Sequence, residues 1–352
     1  MKVLYIFSGT RTDRFKGKIS VDYPDTQFYG MNHLNEFGID AEYKEFESYP
    51  FGRLIKKIIG FRLKNALMYF PARRYDLVFG ISVFYMLIWK KIFRTETKFV
   101  VFNSMFNRML TVHPDGSLRR RILFWILQDV DGIVFLGRDQ LERMVKAAPF
   151  LRSKSYFVPM GVDAAYYHPM YDGRKSFFLS VGRDNARDYG TLVEAARLMP
   201  DEEFHFVCLP RNIADIEDIP PNIKIHINIP FGELQDLYRT ARALLLIMHD
   251  DSHIEGSDSS GPTVLLEAMA IGMPIVVSKK GYIADYLEDG KNALFVDFYD
   301  TNGIVKAVKA ISDAAYRMKL AQNARAKVDE CFNTREMARG LAEVFEKIHG
   351  RN

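Results

Sequence analysis

Short apolar runs alternate with longer amphipathic segments from one end of the chain to the other. The runs are rich in β-branched and aromatic residues, as buried strands are, and the segments between them have helical spacing. The runs are Lys2–Phe7, Ala41–Phe46, Leu77–Ile81, Phe99–Asn103, Gly132–Leu136 and Ser155–Val158, then Phe177–Val181, Glu203–Cys208, Ile223–Ile227, Ala243–Ile247, Pro274–Ser278 and Ala293–Val296. This alternation predicts an α/β protein with a Rossmann-like, doubly wound parallel sheet that is built twice.

The length of 352 residues favours two domains, because a single hydrophobic core rarely grows that large. The pattern is interrupted at Gly161, His168–Pro169 and Asp172–Gly173. We therefore predict an N-terminal domain over residues 1–165 and a C-terminal domain over residues 166–334. In such sheets ligands bind beyond the C-terminal ends of the strands, so the loops that follow strands are the candidate sites.

Charge is distributed unevenly between the two halves. Residues 1–161 contain 26 Lys and Arg against 15 Asp and Glu, whereas the remainder contains 22 against 29. The basic half is expected to meet an anionic partner, such as a phosphorylated acceptor or a membrane surface. Phe51–Phe70 has apolar residues at helical spacing with basic residues between them, which suits a helix on an anionic membrane or a core-facing helix with a solvated side. Trp89–Lys91 and Arg119–Trp125 favour the membrane.

Several classes of protein are disfavoured by the sequence. No run approaches the roughly 20 apolar residues of a membrane-spanning helix, and the first run, Met1–Phe7, is too short for a signal-peptide core. Cys208 and Cys331 lie in segments predicted to be regular structure and lack metal or redox spacing. We expect a cytoplasmic protein, with peripheral attachment to the inner face of the cytoplasmic membrane as an option, and no nucleic-acid partner.

The segment Ser257–Ser278 is the most informative for chemistry. Ser260 or Gly261 can cap a helix whose first residue is Pro262, where the missing N–H costs nothing. Gly272 is suited to end that helix. The segment therefore predicts a capped helix that leads into a buried strand.

The start of this helix has the features of an anion site. The backbone N–H groups of Thr263 and Val264, with the helix dipole, can hold a diphosphate. One turn further along, the Glu267 carboxylate can accept hydrogen bonds from two ribose hydroxyls. Diphosphate and ribose side by side would bind a nucleotide, although a structural helix in which Glu267 pairs with a lysine explains the spacing equally well.

A second element, Leu179–Ala195, is a strand followed by a glycine turn and a helix. Arg183 and Arg187 leave the strand at its C-terminal end. Two guanidinium groups there can neutralise a diphosphate and stabilise the charge that builds on a departing nucleotide. The alternative is a solvated loop in which they pair with Asp184 and Asp188.

Together these segments resemble the donor-site signature of retaining glycosyltransferases of the GT-B fold, in glycosyltransferase family 4 (the "glycosyl transferases group 1" type). Val158–Pro169 resembles that family's interdomain segment, and Gly281–Asp297 its following helix and strand. The resemblance spans about residues 155–300; the first half is similar only in its alternation of strands and helices. It implies two Rossmann-like domains that face each other across a cleft, with a C-terminal helix over 335–352 packed on the N-terminal domain.

The resemblance also assigns roles to individual residues. Glu267 becomes the ribose ligand, and Arg183 and Arg187 become the diphosphate ligands and the catalytic cations. Arg187 replaces the lysine that the family usually has. Gly9 matches a loop glycine that lets the backbone approach the donor. Ser260, Gly261, Thr263 and Val264 complete the predicted donor site.

Two departures affect the groups that would contact the transferred sugar. The family commonly has an acidic residue where this chain has Ser259, and often a histidine where it has Asn103–Met105. Asp129-Val-Asp131 has the spacing of a metal motif from the other large glycosyltransferase fold, but it precedes an apolar run instead of following a strand. The resemblance implies no obligatory metal and no other cofactor.

The expected function is transfer of a sugar from a UDP- or GDP-sugar to a glycan or lipid-linked acceptor, in surface polysaccharide or glycolipid biosynthesis. One alternative is a GT-B-fold sugar-nucleotide epimerase, which would convert the donor without an acceptor. The other is a non-catalytic partner that binds nucleotide sugars, as Ser259 and the missing histidine suggest.

Overall fold

The computed structural model describes residues 1–7, 23–45, 66–172, 174, 177–258 and 260–350. The chain divides into two compact units: unit 1 is Met1–Pro159 with Thr334–Asn352, and unit 2 is Met160–Asn333. Three of the sequence predictions fall outside the described residues. They concern Gly9, Ser259 and residues 51–65 of the predicted helix Phe51–Phe70.

Unit 1 is built on a parallel sheet of six strands in the order β2-β1-β3-β4-β5-β6. The strands are β1 Lys2–Phe7, β2 Asp40–Glu45, β3 Leu77–Gly80, β4 Lys98–Phe102, β5 Gly132–Phe135 and β6 Ser155–Phe157. The helices are α1 Tyr69–Ala72, α2 Leu87–Ile92, α3 Phe106–Val112, α4 Leu118–Leu127 and α5 Arg138–Ala147. Short 3-10 helices lie at Asp25–Phe28, Met31–Phe37, Ile81–Met86 and Pro149–Lys154.

Unit 2 contains a second parallel sheet of six strands, in the order β12-β11-β10-β7-β8-β9. The strands are β7 Phe178–Val181, β8 Phe204–Cys208, β9 Ile223–Ile227, β10 Ala243–Leu246, β11 Ile275–Ser278 and β12 Leu294–Val296. The helices are α6 Tyr189–Arg197, α7 Phe231–Thr240, α8 Pro262–Ile271, α9 Thr301–Ala310 and α10 Ala314–Cys331, with 3-10 helices at Pro210–Asn212 and Gly281–Asp285. The strand order reverses between β7 and β10, which is where sheets of this type bind ligands.

The predicted fold class is confirmed. Both ends of each predicted strand lie within one residue of the ends of an observed strand. The central strands could be recognised because a parallel sheet covered on both faces needs continuous apolar runs. The edge strands β2 and β9 alternate in polarity or burial instead. In β3, β5, β7, β10 and β11 every residue is buried. No helix in the described part of the chain has both the length and the apolar character needed to cross a membrane.

The last helix, α11 (Thr334–His349), belongs to unit 1 although it follows unit 2 in the sequence. The Phe345 ring lies 5.3 Å from the Phe79 ring of β3. Gly30 contacts the helix so closely that a Cβ there would lie 2.8 Å from the Ala338 nitrogen, and its φ of +74° also favours glycine. Close packing therefore fixes α11 to the sheet of unit 1.

A histidine anchors the first turn of α11. His33 Nε2 lies 3.3 Å from an Asp25 carboxylate oxygen and 3.3 Å from Thr334 Oγ1. His33 Nδ1 lies 2.8 Å from Glu36, which also accepts a hydrogen bond of 2.7 Å from Arg335. The hydrogen bond with Asp25, helped by Glu36, raises the pKa of His33 to about 9.

This raised pKa predicts that the protein loses stability as the solution becomes alkaline. The folded state holds the His33 proton more tightly than the unfolded chain does, so its contribution is complete below about pH 6.5 and is lost as the pH rises towards about 9. In His33→Gln, chemical denaturation should show a smaller fall in the free energy of unfolding over that interval. His168→Gln, an exposed control, should keep the wild-type fall; an unchanged pH dependence in His33→Gln would contradict the assignment.

Candidate functional site

Two loops of unit 2 lie side by side where the strand order reverses. One follows β7 and contains Arg187, and the other follows β10 and begins near Met248. Arg187 and Met248 form an isolated antiparallel bridge. The Asp188 N–H donates to the Ile247 carbonyl at 3.1 Å, and the His249 N–H donates to the Ala186 carbonyl at 3.0 Å. Backbone hydrogen bonds therefore hold the two loops together.

A carboxylate joins the same loops at a second point. Asp184 accepts hydrogen bonds from the Ser257 N–H at 3.2 Å and from Ser257 Oγ at 3.0 Å. Gly256 adjoins this contact with a φ of +92°, and a Cβ there would lie 2.3 Å from Asp184 Oδ1. The Asp184 carboxylate thus connects the two loops. This contact argues against the alternative in which Asp184 forms an ion pair with the arginines.

The Arg187 side chain lies between two glycines. A Cβ on Gly182 would be 2.1 Å from Arg187 Nε, and a Cβ on Gly261 would be 2.8 Å from Nη1. Arg187 Nε donates to the Val181 carbonyl at 3.2 Å, and Nη1 donates to Ser260 Oγ at 3.4 Å. The residue is only 5% exposed. The structure therefore brings Arg187, Ser260 and Gly261 together, as the sequence predicts.

The buried guanidinium of Arg187 has no carboxylate partner among the described residues. Other buried or half-buried cations of unit 2 are paired: Lys280 with Asp251 at 3.1 Å and Arg242 with Glu202 at 2.9 Å. A buried charge is costly unless it is paired. The exception at Arg187 therefore marks a place where an anionic ligand would be stabilised.

The helix α8 begins directly against this guanidinium. Gly261 is its N-cap, with a φ of +110°, and Pro262 is its first residue; among the described residues no side chain caps it. The first N–H groups of a helix have no partner within the helix, so those of Thr263 and Val264 add to the positive charge of Arg187. The predicted start of the helix and its end at Gly272, φ +79°, are confirmed.

Glu267 lies one turn into α8 and is held by two tyrosines. Its Oε1 accepts a hydrogen bond of 2.9 Å from Tyr167, and its Oε2 accepts one of 3.1 Å from Tyr238. Burial, followed by the Glu267 charge, raises the pKa of both hydroxyls, so they remain donors. Glu267 lies on the helix whose N-cap, Gly261, adjoins the Arg187 guanidinium. Both carboxylate oxygens of Glu267 thus accept hydrogen bonds from tyrosine hydroxyls.

Sequence reasoning missed both tyrosines. Tyr167 lies 100 residues before Glu267 in the chain and Tyr238 lies 29 before it. Tyr167 belongs to the segment that resembles the family's interdomain motif, which was the only signal that could have singled it out. Tyr238 lies on α7, where helical spacing indicates only a core position.

Arg183 differs from Arg187 in its surroundings. Its side chain is exposed, and within the described ranges its guanidinium has no hydrogen bond or ion pair. Its carbonyl accepts a hydrogen bond of 2.9 Å from Arg211, whose Nε also donates to Asn185 at 3.1 Å. Arg183 thus lies in the correct loop, and its contact with a diphosphate stays a prediction.

The carboxylates of the Asp129–Asp131 segment, and those of the loop after β10, are engaged in other contacts. Asp129 pairs with Lys91 and Asp131 with Lys90. Asp250 accepts hydrogen bonds from the Ser252 N–H at 2.9 Å and from Ser252 Oγ at 2.6 Å. Over the described ranges, no group of three or more His, Cys, Asp or Glu side chains is arranged to hold a metal ion.

The position where the family often has a histidine is occupied by an asparagine, Asn103, that binds the backbone where α3 begins. Asn103 is 1% exposed, and its Oδ1 accepts a hydrogen bond of 3.0 Å from the Phe106 N–H at the start of α3.

Unit 1 also contains a small cavity beside the point where its own strand order reverses, between β1 and β3. Its lining includes Phe7, Tyr29 and Gly80.

Comparison with known proteins agrees with this geometry. Residues 172–327 match the family Glycosyl transferases group 1. The chain is 24% identical over 185 residues to the amylovoran biosynthesis glycosyltransferase AmsK of Erwinia amylovora, an alignment that spans 48% of this chain and 44% of that relative. The chain thus spans less than half the length of this curated relative.

Solved structures match over nearly the whole chain. Anabaena Alr3699/HepE in complex with UDP-glucose superposes with a TM-score of 0.71 at 14% identity, covering 99% of this chain and 100% of that one. Sucrose-phosphate synthase from Thermosynechococcus elongatus gives a TM-score of 0.73 at 16% identity, with 100% of both chains covered. These likenesses confirm the GT-B fold with its two Rossmann-like domains, and unit 2 carries the region similar to Glycosyl transferases group 1.

Proposed function

We propose that this protein is a retaining glycosyltransferase of glycosyltransferase family 4 that transfers a sugar from a UDP- or GDP-sugar to a glycan or lipid-linked acceptor. The observation that carries the proposal is the buried, unpaired guanidinium of Arg187 against the first turn of α8. Two sources of positive charge converge there, and a diphosphate is an anion of suitable charge and size. The match of residues 172–327 to Glycosyl transferases group 1 supports the same conclusion.

In this proposal unit 2 binds the donor and unit 1 binds the acceptor. The diphosphate contacts Arg187 and the N–H groups of Thr263 and Val264, while the ribose hydroxyls donate to Glu267. Arg183 closes on the diphosphate from the exposed side of its loop. The excess of basic residues in unit 1 suits a phosphorylated or lipid-linked acceptor.

The chemistry then depends on electrostatic stabilisation. The bond between the sugar anomeric carbon and the diphosphate oxygen breaks, and its electron pair leaves with the diphosphate. Arg183, Arg187 and the start of α8 stabilise the charge that develops. The acceptor hydroxyl attacks the same face of the sugar and gives its proton to the departing diphosphate, so the anomeric configuration is retained. These groups supply the positive charge without an obligatory metal.

The relatives support a proposal for the biological setting. AmsK is named for the biosynthesis of amylovoran, and the HepE structure contains UDP-glucose. We infer a role in surface polysaccharide or glycolipid synthesis in the cytoplasm, at the inner face of the cytoplasmic membrane.

A ligand screen followed by NMR tests the function. Thermal unfolding with UDP, GDP and ADP should show a rise in the unfolding temperature for one base, because a ligand that binds only the folded state stabilises it by mass action. NMR should then show a new glycoside of unchanged anomeric configuration when the matching donor is incubated with an acceptor.

The rival functions give different spectra. A new sugar nucleotide formed from the donor alone would identify an epimerase. Tight donor binding without turnover, over a wide panel of acceptors, would identify a non-catalytic binding protein. An inverted anomeric configuration would contradict the retaining mechanism alone.

A further inference from the structure

The helix α4 has two apolar faces, and only one of them is buried. Leu123, Ile126 and Leu127 pack into the core of unit 1. A second stripe is exposed: Leu118 by 70%, Ile122 by 46% and Trp125 by 52%. Their i, i+4, i+7 spacing aligns them along one face of the helix. A surface helix of a soluble domain needs only the first stripe, so the second is a candidate docking surface.

The charges of α4 oppose what helix stability alone would favour. Arg119, Arg120 and Arg121 occupy its first turn, where the helix dipole disfavours positive charge by roughly 0.3–1 kcal/mol per residue. Arg120 pairs with Asp115, whereas Arg119 and Arg121 have no ion pair within the described residues. The sequence of α4 contains no acidic residue. These arginines thus cost stability unless an anion meets them.

The exposed stripe continues onto the neighbouring helices. Lys91 Nζ of α2 lies 4.6 Å from the centre of the Trp125 ring. Beyond it, Ile92 and Phe93 are exposed by 61% and 41%, and the Phe93 ring lies 5.7 Å from that of the exposed Phe70. We call this surface the α4 patch; it comprises Phe70, Ile92, Phe93, Leu118, Ile122 and Trp125 with the exposed arginines Arg94, Arg119 and Arg121.

We propose that the α4 patch docks unit 1 on an anionic lipid bilayer. Aliphatic and aromatic side chains would enter the boundary between headgroups and acyl chains, where tryptophan is favoured. The arginines would bind lipid phosphates, each basic residue adding about 1 kcal/mol. Charge complementarity selects this occupant, since unpaired arginines bordering exposed apolar side chains match phosphates above acyl chains. This docking rests on the membrane location in the proposed function, and it assigns the membrane-binding surface to α4 and its neighbours.

Vesicle sedimentation with the full chain tests the docking directly. The protein should pellet with vesicles of phosphatidylcholine and phosphatidylglycerol and remain in solution with phosphatidylcholine alone. Both Ile122→Ser/Trp125→Ser and Arg119→Gln/Arg121→Gln should reduce the partition coefficient about 10-fold or more. Control variants on unit 2, Leu198→Ser/Met318→Ser and Lys306→Gln/Lys309→Gln, remove two exposed apolar and two exposed basic residues and should bind as the wild type does.

Fluorescence gives a second readout that does not depend on the patch variants. The chain has two tryptophans, so Trp89→Phe leaves Trp125 as the single reporter. Its emission should shift to shorter wavelength when anionic vesicles are added. The proposal would be overturned if vesicle binding were the same with and without anionic lipid and in the wild type and the patch variants. An emission maximum that does not move would also overturn it. So would a dimer that forms without lipid and is lost in Ile122→Ser/Trp125→Ser.

These measurements separate the docking proposal from the proposed sugar transfer. Vesicle binding requires no donor, so it would survive a finding that the protein transfers no sugar. Conversely, the patch variants should retain wild-type affinity for nucleoside diphosphates, because α4 belongs to unit 1 and the donor residues to unit 2.

Discussion

Glu267→Gln is expected to weaken the binding of a nucleoside diphosphate about 100-fold and to leave the binding of inorganic pyrophosphate unchanged. The carboxylate would accept hydrogen bonds from two ribose hydroxyls, and a hydrogen bond to a charged group contributes about 1.5–3 kcal/mol. Tyr167 and Tyr238 already donate to its two oxygens, at 2.9 and 3.1 Å, so the group is oriented before the ligand arrives. Titration calorimetry with UDP, GDP and pyrophosphate measures both affinities.

The comparison of two ligands is what makes this test specific. A general loss of structure in Glu267→Gln would weaken both ligands, whereas a lost ribose contact weakens only the nucleotide. The 2′,3′-dideoxy nucleotide should bind wild type and variant equally. Glu217→Gln, at an exposed position of unit 2, should bind all three ligands as the wild type does. Equal nucleotide affinity in wild type and Glu267→Gln would remove Glu267 from the donor site.

The fold could be predicted from the sequence because its signals are local. Each buried parallel strand is a continuous apolar run, and α8 is marked at both ends by glycines and by Pro262. The order of strands within each sheet has no local signal. That order places the reversal between β7 and β10, and so decides which two loops meet.

The site was predicted less completely because its contacts join distant parts of the chain. Nothing in the sequence distinguishes Arg183 from Arg187, since both follow β7. The bridge to Met248 and the space beside Gly182 and Gly261 bury Arg187 and leave Arg183 exposed. Tyr238 lies in contact with Glu267 only because α7 packs against α8. Such pairings are properties of the packed structure.

Arg187→Met should reduce the affinity for both nucleoside diphosphates and pyrophosphate about 100-fold, and it should reduce the kcat for sugar transfer by about 10²–10³-fold. Loss of a single preorganised group that stabilises developing negative charge has effects of this size. Arg187→Lys keeps the charge but lacks the planar fork that reaches both Val181 and Ser260. Its affinity and kcat should therefore lie between those of the wild type and those of Arg187→Met.

The effect of Arg187→Met on stability separates a binding role from a structural one. Without ligand, the wild type bears the cost of a buried, unpaired cation, so a methionine of similar length should leave its unfolding temperature unchanged or raise it. The rise in unfolding temperature that UDP or GDP causes should disappear. Arg242→Met is the matched control. It leaves Glu202, which lies 2.9 Å from Arg242, without its ion-pair partner, so it should lower the unfolding temperature while nucleotide binding persists. If Arg187→Met instead lowers the unfolding temperature and still binds pyrophosphate, Arg187 is structural and the diphosphate must bind elsewhere.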